Sequence, residues 1–475
     1  MNTFWLRALL LTVLLCPAVH ATEDKRTLVL GACRFADLTR AARCGTLSVP
    51  ENPDKPGGRR LSISVAVIPA AHAPRLTDPI VVLQGGPGED SISSAGYFAE
   101  RFAPLLDDRD LLLIDQRGTG KSGALPCILY SAADPGASLR DVFPVAAVKR
   151  CAQRLEARAD LTQYTFDRFA NDLEQVRRGL SYGALNLYAG SYGTRAAQVY
   201  MRNFPASVRT AYMGSAVPTD AANPLAFAKT AQTALEMLFD ACGADAACNS
   251  AYPKLREEFR AVMARLDTGT VRVSIPKRAG KATLYRGRVV EWMRSRLYRP
   301  TSATMLPWMI HRAYAGDWNP IVKDLLSDAR EADPAFSFGL FLSITCSEDV
   351  AFIREQDVAR ETQGTFLGDY RVRQQQAACK EWPTRTLPKN YRAAVISGVP
   401  ALFVSGDADG GTPLWYADHV AAGFSNRIQV IVKGQGHTEW SDCLAQLQQR
   451  LVRGGTVSGV AASCAEVPRP PFKLN

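Results

Sequence analysis

A serine at the centre of a run of small residues is the side chain in this sequence best placed to do chemistry. Residues 189–193 read Ala-Gly-Ser-Tyr-Gly, with Ala189 where such runs usually have glycine. The apolar stretch before the run predicts a buried strand, and residues 194–201 predict the start of a helix. A serine on a sharp strand-to-helix turn is strained, and its hydroxyl is exposed above the sheet. Ser191 is therefore a candidate nucleophile.

A serine nucleophile requires a base, and a histidine after the last predicted strand is the best candidate. His437 follows an apolar run at 428–432 and a glycine-rich loop at 433–436. Such a loop lets an imidazole reach over the edge of a sheet toward a serine. We interpret His72 and His419 as structural, because the first lies in a loop before the sheet and the second lies in a predicted helix.

The acid that orients such a histidine should lie between the serine and the histidine in the chain. Residues 406–413 offer Asp407 and Asp409 directly after a predicted strand. The spacing Gly-x-x-Asp-x-x-Thr-Pro favours Asp409, whereas Asp407 could cap the turn. The order serine, aspartate, histidine is that of an α/β-hydrolase.

Two backbone N–H groups are expected to stabilise the oxyanion that forms during acyl transfer. The first belongs to Tyr192, directly after the serine. The second belongs to Gly86 in the turn 84–88, Gln-Gly-Gly-Pro-Gly, where glycine lets the backbone approach a substrate closely. The alternative for this turn is an ordinary tight turn around Pro87.

Short apolar runs that alternate with helical patterns must position these groups. Runs at 80–83, 111–114, 185–188 and 400–405 predict a mostly parallel sheet with helices on both faces, an α/β fold. From about residue 217 to residue 397, before the last of these runs, the chain reads mainly as helices and loops. This pattern predicts a helical cap inserted into one domain. The expected units are a signal peptide at 1–21, a first core part at 22–217, a cap at 218–397, and a second core part with a disulfide-bearing end at 398–475.

The N-terminal residues and the charge of the chain indicate export and argue against nucleic acid. Residues 1–21 combine Arg7 with an apolar core that is too short to span a bilayer, so we expect a cleaved signal, no stable membrane anchor, and a secreted or periplasmic protein. A lipid anchor at Cys16 is the alternative, but the bulky Leu15 disfavours it. The net charge of +10 comes from scattered lysines and arginines, so we expect no nucleic-acid partner.

Cysteine usage also fits an oxidising compartment. Cys16 falls within the signal, and the other ten cysteines of the total of 11 form an even set. Local spacing predicts five disulfides. The predicted pairs are Cys33 with Cys44, Cys127 with Cys151, Cys242 with Cys248, Cys346 with Cys379, and Cys443 with Cys464.

Taken together, these motifs resemble the prolyl aminopeptidase and tripeptidyl aminopeptidase family of α/β-hydrolases. The resemblance covers about residues 33–472 and includes the turn 84–88 and the run 115–122, Asp-Gln-Arg-Gly-Thr-Gly-Lys-Ser. Its C-terminal cysteines are similar to those of the secreted tripeptidyl aminopeptidase branch. Gln84 stands where the family usually has histidine, which affects the substrate mouth without removing a catalytic group.

The resemblance implies an exopeptidase that acts on peptides with a free N-terminus and needs no metal or organic cofactor. The cap would restrict access, and carboxylates must hold the substrate ammonium. After Cys346, Glu348 and Asp349 match the family's acidic position, with Glu348 as the first choice for this role. The alternative is a solvated acidic pair beside a disulfide.

Two other functions are compatible with the same residues. A carboxylesterase would use the same three catalytic side chains, and an apolar cap cavity would favour it over a peptidase. A non-catalytic binding module on the same fold is the second alternative. The presence of Ser191, Asp409 and His437 together argues against that module.

Overall fold

A nine-stranded sheet lies at the centre of the computed structural model, with the strand order β1-β2-β3-β5-β4-β6-β7-β10-β11. The structure describes residues 28–130, 135–275, 280–327, 335–438, 440–461 and 463–474, so the predicted signal at 1–21 lies outside the described residues. The strands of this sheet are β1 Gly31–Cys33, β2 Ala42–Pro50, β3 Arg60–Ile68, β4 Leu76–Leu83, β5 Arg109–Ile114, β6 Leu185–Gly190, β7 Val208–Gly214, β10 Ala401–Gly406 and β11 Arg427–Val432.

Parallel pairing dominates the part of the sheet that carries the candidate site. Strands β5, β4, β6, β7, β10 and β11 pair in parallel, while β1, β2 and β3 form an antiparallel edge against β5. The interior parallel strands are buried on both faces, which is why they appear in the sequence as short apolar runs. The carboxyl ends of β4, β6 and β10 lie at one edge, and the motifs identified above follow these ends. The predicted α/β fold is confirmed.

Helices cover both faces of the sheet and form the insertion between β7 and β10. Helix α4 follows β6 after a single residue and begins at the site. The helices are α1 Ala95–Arg101, α2 Val145–Glu156, α3 Phe166–Gly179, α4 Tyr192–Asn203, α5 Phe227–Ala244, α6 Ala246–Ala251, α7 Leu255–Asp267, α8 Arg286–Arg296, α9 Pro300–Ala303, α10 Leu306–Tyr314, α11 Asn319–Ser327, α12 Phe338–Glu348, α13 Glu355–Thr362, α14 Tyr370–Cys379, α15 Leu414–Ala421 and α16 Asp442–Gly454.

The chain between β7 and β10 packs in two different ways. Helices α5, α7, α8, α10 and α11 bury their apolar faces in a hydrophobic core of their own. Helix α12 and the segment 378–395 instead belong to the core under the sheet. The cap predicted at 218–397 thus consists of a separately packed helical part and a part that continues the main core, and its boundaries stay a prediction.

Most predicted elements are present, with boundaries shifted by a few residues. The helices expected in the insertion include α5 and α8. A small hairpin in the cap, formed by β8 Arg272–Ser274 and β9 Lys281–Thr283, was not predicted from the sequence. Strands of three residues are too short to show an alternating pattern, so the sequence carries little signal for them.

All five disulfides predicted from cysteine spacing are formed. The bonded pairs are Cys33–Cys44, Cys127–Cys151, Cys242–Cys248, Cys346–Cys379 and Cys443–Cys464. Five disulfides fit a protein that resides in an oxidising compartment. In the part of the chain that the structure describes, no helix is long and apolar enough to cross a membrane.

Candidate active site

The turn between β6 and α4 holds Ser191 in the strained conformation expected for a nucleophile. Ser191 has φ +53° and ψ −127°, and its N–H donates to the carbonyl of Gly214 at 2.9 Å. A Cβ on Gly193 would lie 2.0 Å from the carbonyl oxygen of Leu83, so this position requires glycine. Ala189 is fully buried within β6, between β4 and β7, and the sheet therefore accommodates a methyl group there.

Three side chains from distant parts of the sequence form one hydrogen-bonded chain at this turn. His437 Nε2 lies 3.0 Å from Ser191 Oγ, and His437 Nδ1 lies 2.8 Å from Asp409 Oδ2. This geometry allows the imidazole to accept the serine proton while the carboxylate holds the ring in the required tautomer. The structure therefore brings together the three residues that the sequence analysis selected for nucleophile, base and acid.

Asp409 is held in place by the loop that follows β10. Its Oδ1 accepts hydrogen bonds from the N–H of Gly411 at 2.7 Å and of Thr412 at 3.0 Å, and its Oδ2 accepts one from Thr412 Oγ1 at 2.6 Å. Burial opposes ionisation, but contacts with His437 and Thr412 outweigh it and lower the pKa of Asp409. Asp407 points elsewhere and accepts a hydrogen bond from the N–H of Gly434 at 2.7 Å.

The glycine turn after β4 lies directly against the nucleophile. A Cβ on Gly85 would lie 2.9 Å from Ser191 Cβ, so only glycine allows this approach. Gly86 has φ +103°, a conformation that other residues rarely adopt. Tyr192 is the first residue of α4, and its N–H has no acceptor within the helix. Gly86 and Tyr192 thus supply backbone N–H groups on the two elements that meet at Ser191.

The Asp-Gln-Arg-Gly run after β5 braces the segment that follows this turn. Asp115 Oδ1 accepts hydrogen bonds from the N–H of Ser91 at 3.2 Å and of Ile92 at 3.0 Å. Arg117 is buried and makes two hydrogen bonds to Asp172, at 2.6 Å and 2.8 Å. Both residues therefore have structural roles close to the site.

Tyr298, just after α8 in the cap, contacts the loops of both the acid and the base. Its carbonyl accepts the N–H of His437 at 2.8 Å, and its ring meets the imidazole edge-on with 5.0 Å between centroids. A Cβ on Gly411 would lie 2.0 Å from the Tyr298 ring, and one on Gly436 would lie 2.5 Å from its carbonyl oxygen. Tyr298 was not predicted from the sequence, although these glycines indicated that some group approaches both loops closely.

Ser215, at the end of β7, is a second residue that the sequence analysis missed. Its Oγ accepts the N–H of Thr438 at 3.0 Å and so holds the residue that follows the histidine. Its own N–H donates to the carbonyl of Val404 in β10 at 2.8 Å. Ser215 therefore links the histidine loop to two strands of the sheet.

The structure does not bring Glu348 and Asp349 to the cavity, which corrects their expected role as amine ligands. Both are completely buried at the end of α12, so they are not a solvated pair either. Asp349 pairs with Arg195 at 3.0 Å and accepts a hydrogen bond from Tyr192 Oη at 3.2 Å. Glu348 accepts hydrogen bonds from the backbone of α3 and from Tyr391 Oη. These contacts connect α12 to the nucleophile helix α4.

A cavity of about 820 Å³ lies between the sheet edge and the cap, and Ser191 and His437 line it. Two carboxylates of the described chain, Glu89 and Glu291, also line it. Glu291 is buried and bonded to Arg294 and Arg371, at 2.6 Å in each case. Within the described ranges, the carboxylate of Glu89 is partly exposed and has no hydrogen-bond or ion-pair partner.

Comparison with known proteins agrees with this architecture. A family model described as "alpha/beta hydrolase fold" matches residues 78–247, and one described as "TAP-like protein" matches residues 364–464. The chain is an α/β hydrolase. The family expected from the motifs is thereby confirmed, and the site lies where the fold places active sites, at the carboxyl ends of parallel strands.

Individual relatives match this α/β hydrolase over parts of its length. Serine protease Hip1 of Mycobacterium tuberculosis is 28% identical over 240 residues, 46% of this chain and 44% of that protein. Carboxylesterase B of Mycobacterium tuberculosis is 36% identical over 103 residues, 20% of this chain and 19% of that protein. Tripeptidyl aminopeptidase of Streptomyces lividans is 26% identical over 200 residues, 38% of this chain and 36% of that protein. Each match spans less than half of the relative's length.

Proposed function

We propose that this α/β hydrolase is a serine exopeptidase that releases residues or short peptides from peptide N-termini. The observation that carries the proposal is the hydrogen-bonded chain Ser191–His437–Asp409 on a strained turn inside a capped cavity. The similarity to a serine protease and to a tripeptidyl aminopeptidase supports peptides as the substrate class.

The proposed mechanism proceeds through an acyl-enzyme. Ser191 Oγ attacks the scissile carbonyl while His437 Nε2 accepts its proton and then donates it to the leaving amine. The N–H groups of Gly86 and Tyr192 stabilise the oxyanion in both tetrahedral intermediates. A water molecule that loses its proton to His437 then hydrolyses the ester. Asp409 stabilises the imidazolium in each step, and the chemistry uses no metal or organic cofactor.

We propose Glu89 as the ligand of the substrate ammonium in place of Glu348 and Asp349. Glu89 follows the oxyanion turn directly and lines the same cavity as Ser191, so a substrate bound in that cavity can reach both residues. The other carboxylate that lines the cavity, Glu291, is already bonded to two arginines. A carboxylate that has no partner among the described residues and lies in a cavity partly shielded from solvent attracts a cation more strongly than one in open solvent.

Hydrolysis of matched substrates tests the proposal. The panel contains p-nitroanilides of Pro, Ala and Ala-Pro-Ala, their N-acetylated forms, and a p-nitrophenyl ester, with Ser191→Ala as the control. We expect amide cleavage that is lost on N-acetylation and absent in the control. Amide cleavage that is unaffected by acetylation would contradict the exopeptidase assignment. The longest N-terminal residue or peptide with a free amine that is released in one step defines the subclass of exopeptidase.

A carboxylesterase is the second candidate function. The similarity to Carboxylesterase B favours it, and so does the burial of Glu348 and Asp349 away from the cavity. Ester cleavage by the wild type without any amide cleavage would select this function.

We also propose that the protein acts outside the cytoplasm, in the periplasm or after secretion. The predicted signal at 1–21 and the five disulfides support this location. Detection of a mature chain that begins at Thr22 in the exported fraction would test it.

A further inference from the structure

The walls of the active-site cavity carry more positive than negative side chains. Among the described residues, six arginines and two glutamates line it. Five of the arginines belong to the cap rather than to the sheet domain. The lining arginines are Arg101, Arg288, Arg294, Arg296, Arg299 and Arg371. A cavity with low-dielectric walls and an excess of one charge concentrates ligands of the opposite charge.

Three of these arginines are already paired with carboxylates. Arg294 and Arg371 share Glu291, and Arg296 pairs with Asp324 at 2.7 Å. Burial opposes ionisation of Glu291, but its arginine neighbours outweigh burial and lower its pKa to about 2. Glu291 is therefore ionised near neutral pH, and one positive charge of the Arg294–Glu291–Arg371 group remains uncompensated.

Arg288 is the cap arginine best prepared to bind an anion. Its Nε donates to the carbonyl of Ser138 at 2.6 Å, which anchors a half-buried guanidinium. In the ranges that the structure describes, it forms no ion pair with a carboxylate. An arginine presents several N–H groups in one plane, which matches the two oxygens of a carboxylate. The anchor through Nε leaves Nη groups available for a ligand in the cavity.

Helix α8 fixes the spacing between Arg288 and the end of the helix that precedes Tyr298. The helix ends at Arg296, two residues before Tyr298, whose carbonyl bonds to His437. Arg288 lies eight residues before Arg296, about 12 Å along the axis at 1.5 Å per residue. An extended peptide covers this distance with about four residues. Arg299, which is exposed and also lacks a carboxylate partner within the described ranges, lies beside the catalytic end.

We propose that the α8 wall of the cavity binds a carboxylate group of the substrate, with Arg288 as its main ligand and Arg299 as a second one. The protein would then select short peptides that carry a free C-terminal carboxylate or an acidic side chain. This inference rests on the proposed function only in taking the substrate to be a peptide. An acyl ester with a distal carboxylate would bind to the same wall.

Matched substrates that differ only in one carboxylate test this inference. The first pair is Ala-Pro-Ala-Ala with a free C-terminus and the same peptide as a C-terminal amide. A third peptide is amidated and carries glutamate at the last position, which separates the two sources of the carboxylate. For the wild type we expect kcat/KM for at least one carboxylate-bearing peptide to exceed that for the neutral amide by about tenfold or more, mainly through KM.

Substitutions then show whether α8 is responsible. Arg288→Gln should reduce the preference to about one, mainly through a higher KM for the carboxylate-bearing peptide, and Arg288→Lys should retain part of it. Arg260→Gln, which removes an equal charge from the exposed face of α7, should leave the preference unchanged. Equal kcat/KM values for the neutral and charged peptides in the wild type would overturn the inference, as would an unchanged preference in Arg288→Gln.

A pair of esters separates this inference from the proposed function. p-Nitrophenyl butyrate and the p-nitrophenyl half-ester of succinate differ in one distal carboxylate. If the wild type cleaves no peptide but prefers the succinate ester, and Arg288→Gln removes that preference, the exopeptidase proposal fails and the carboxylate site stands. Equal rates for the two esters in a protein that cleaves no peptide would overturn the carboxylate site.

Discussion

Replacement of Gly411 by alanine is the sharpest test of how the cap holds the acid and base loops. A Cβ at this position would lie 2.0 Å from the Tyr298 ring, whereas ordinary contacts between carbon atoms are at least about 3.4 Å. The loop or the ring must therefore move by roughly 1.4 Å, and Gly411 is the residue whose N–H bonds to Asp409. A misplacement of about 1 Å in a catalytic constellation costs on the order of 100-fold in rate.

We therefore expect Gly411→Ala to lower kcat/KM by about 100-fold while the protein stays folded. The assay is hydrolysis of a p-nitroanilide or p-nitrophenyl ester, with the melting temperature as a check on folding. Gly243→Ala is the matched control, because a Cβ there meets nothing within 4 Å, and its activity should equal that of the wild type. The double variant Gly411→Ala with Tyr298→Ala should be more active than Gly411→Ala alone, since the clash is then removed.

Two results would refute this reasoning. Wild-type activity in Gly411→Ala would show that the loop tolerates the extra methyl group without moving Asp409. A double variant as inactive as Gly411→Ala alone would show that contact with Tyr298 is not the cause of the loss.

Four further substitutions distinguish the roles of the carboxylates in and around the site. Asp409→Asn should lower kcat by about 10⁴-fold in rate assays, because the imidazole loses the partner that fixes its tautomer, while Asp407→Asn should retain most activity. Glu89→Gln should raise KM for free-amine peptides by about tenfold or more in steady-state kinetics and leave neutral esters unaffected; an unchanged KM would remove Glu89 from the amine site. Burial raises the pKa of Glu348 to about 7, so the native state holds that proton more tightly than the unfolded chain, and stability falls as pH rises from about 4.5 to 7. As pH rises through this range, the unfolding free energy of Glu348→Gln should therefore increase by about 3 kcal/mol relative to that of the wild type. Urea titrations at several pH values measure this difference, and a difference that stays constant with pH would contradict the buried role.

The sheet and the catalytic constellation could be predicted because their signals are local. Buried parallel strands are short apolar runs, so β4, β6 and β10 were visible in the sequence. Ser191, Asp409 and His437 follow strand ends in the order that this fold requires. Nearby cysteines predicted all five disulfides, since short separations leave few competing partners.

The cap could not be predicted to the same depth because its contacts are long-range. Glu348 was assigned to the cavity because it matches the family's acidic position after Cys346, but α12 is buried on all sides and carries the carboxylate into the core instead. Most of that helix is apolar on every face, and this pattern in the sequence indicates a buried helix. The contact of Tyr298 with His437 joins residues more than 100 positions apart, and no local pattern specifies it. The arginines of α8 can be read from the sequence, but no local pattern indicates that they line one cavity.

Mass spectrometry of an acid-quenched reaction tests the central claim most directly. The wild type and Ser191→Ala are mixed with the p-nitroanilide of Ala-Pro-Ala, quenched within milliseconds to seconds, and mapped by proteolysis. The account predicts an acyl adduct on Ser191 in the wild type, released p-nitroaniline, and neither product in the variant. Equal release of p-nitroaniline by pure Ser191→Ala, or an adduct on a different residue, would contradict it.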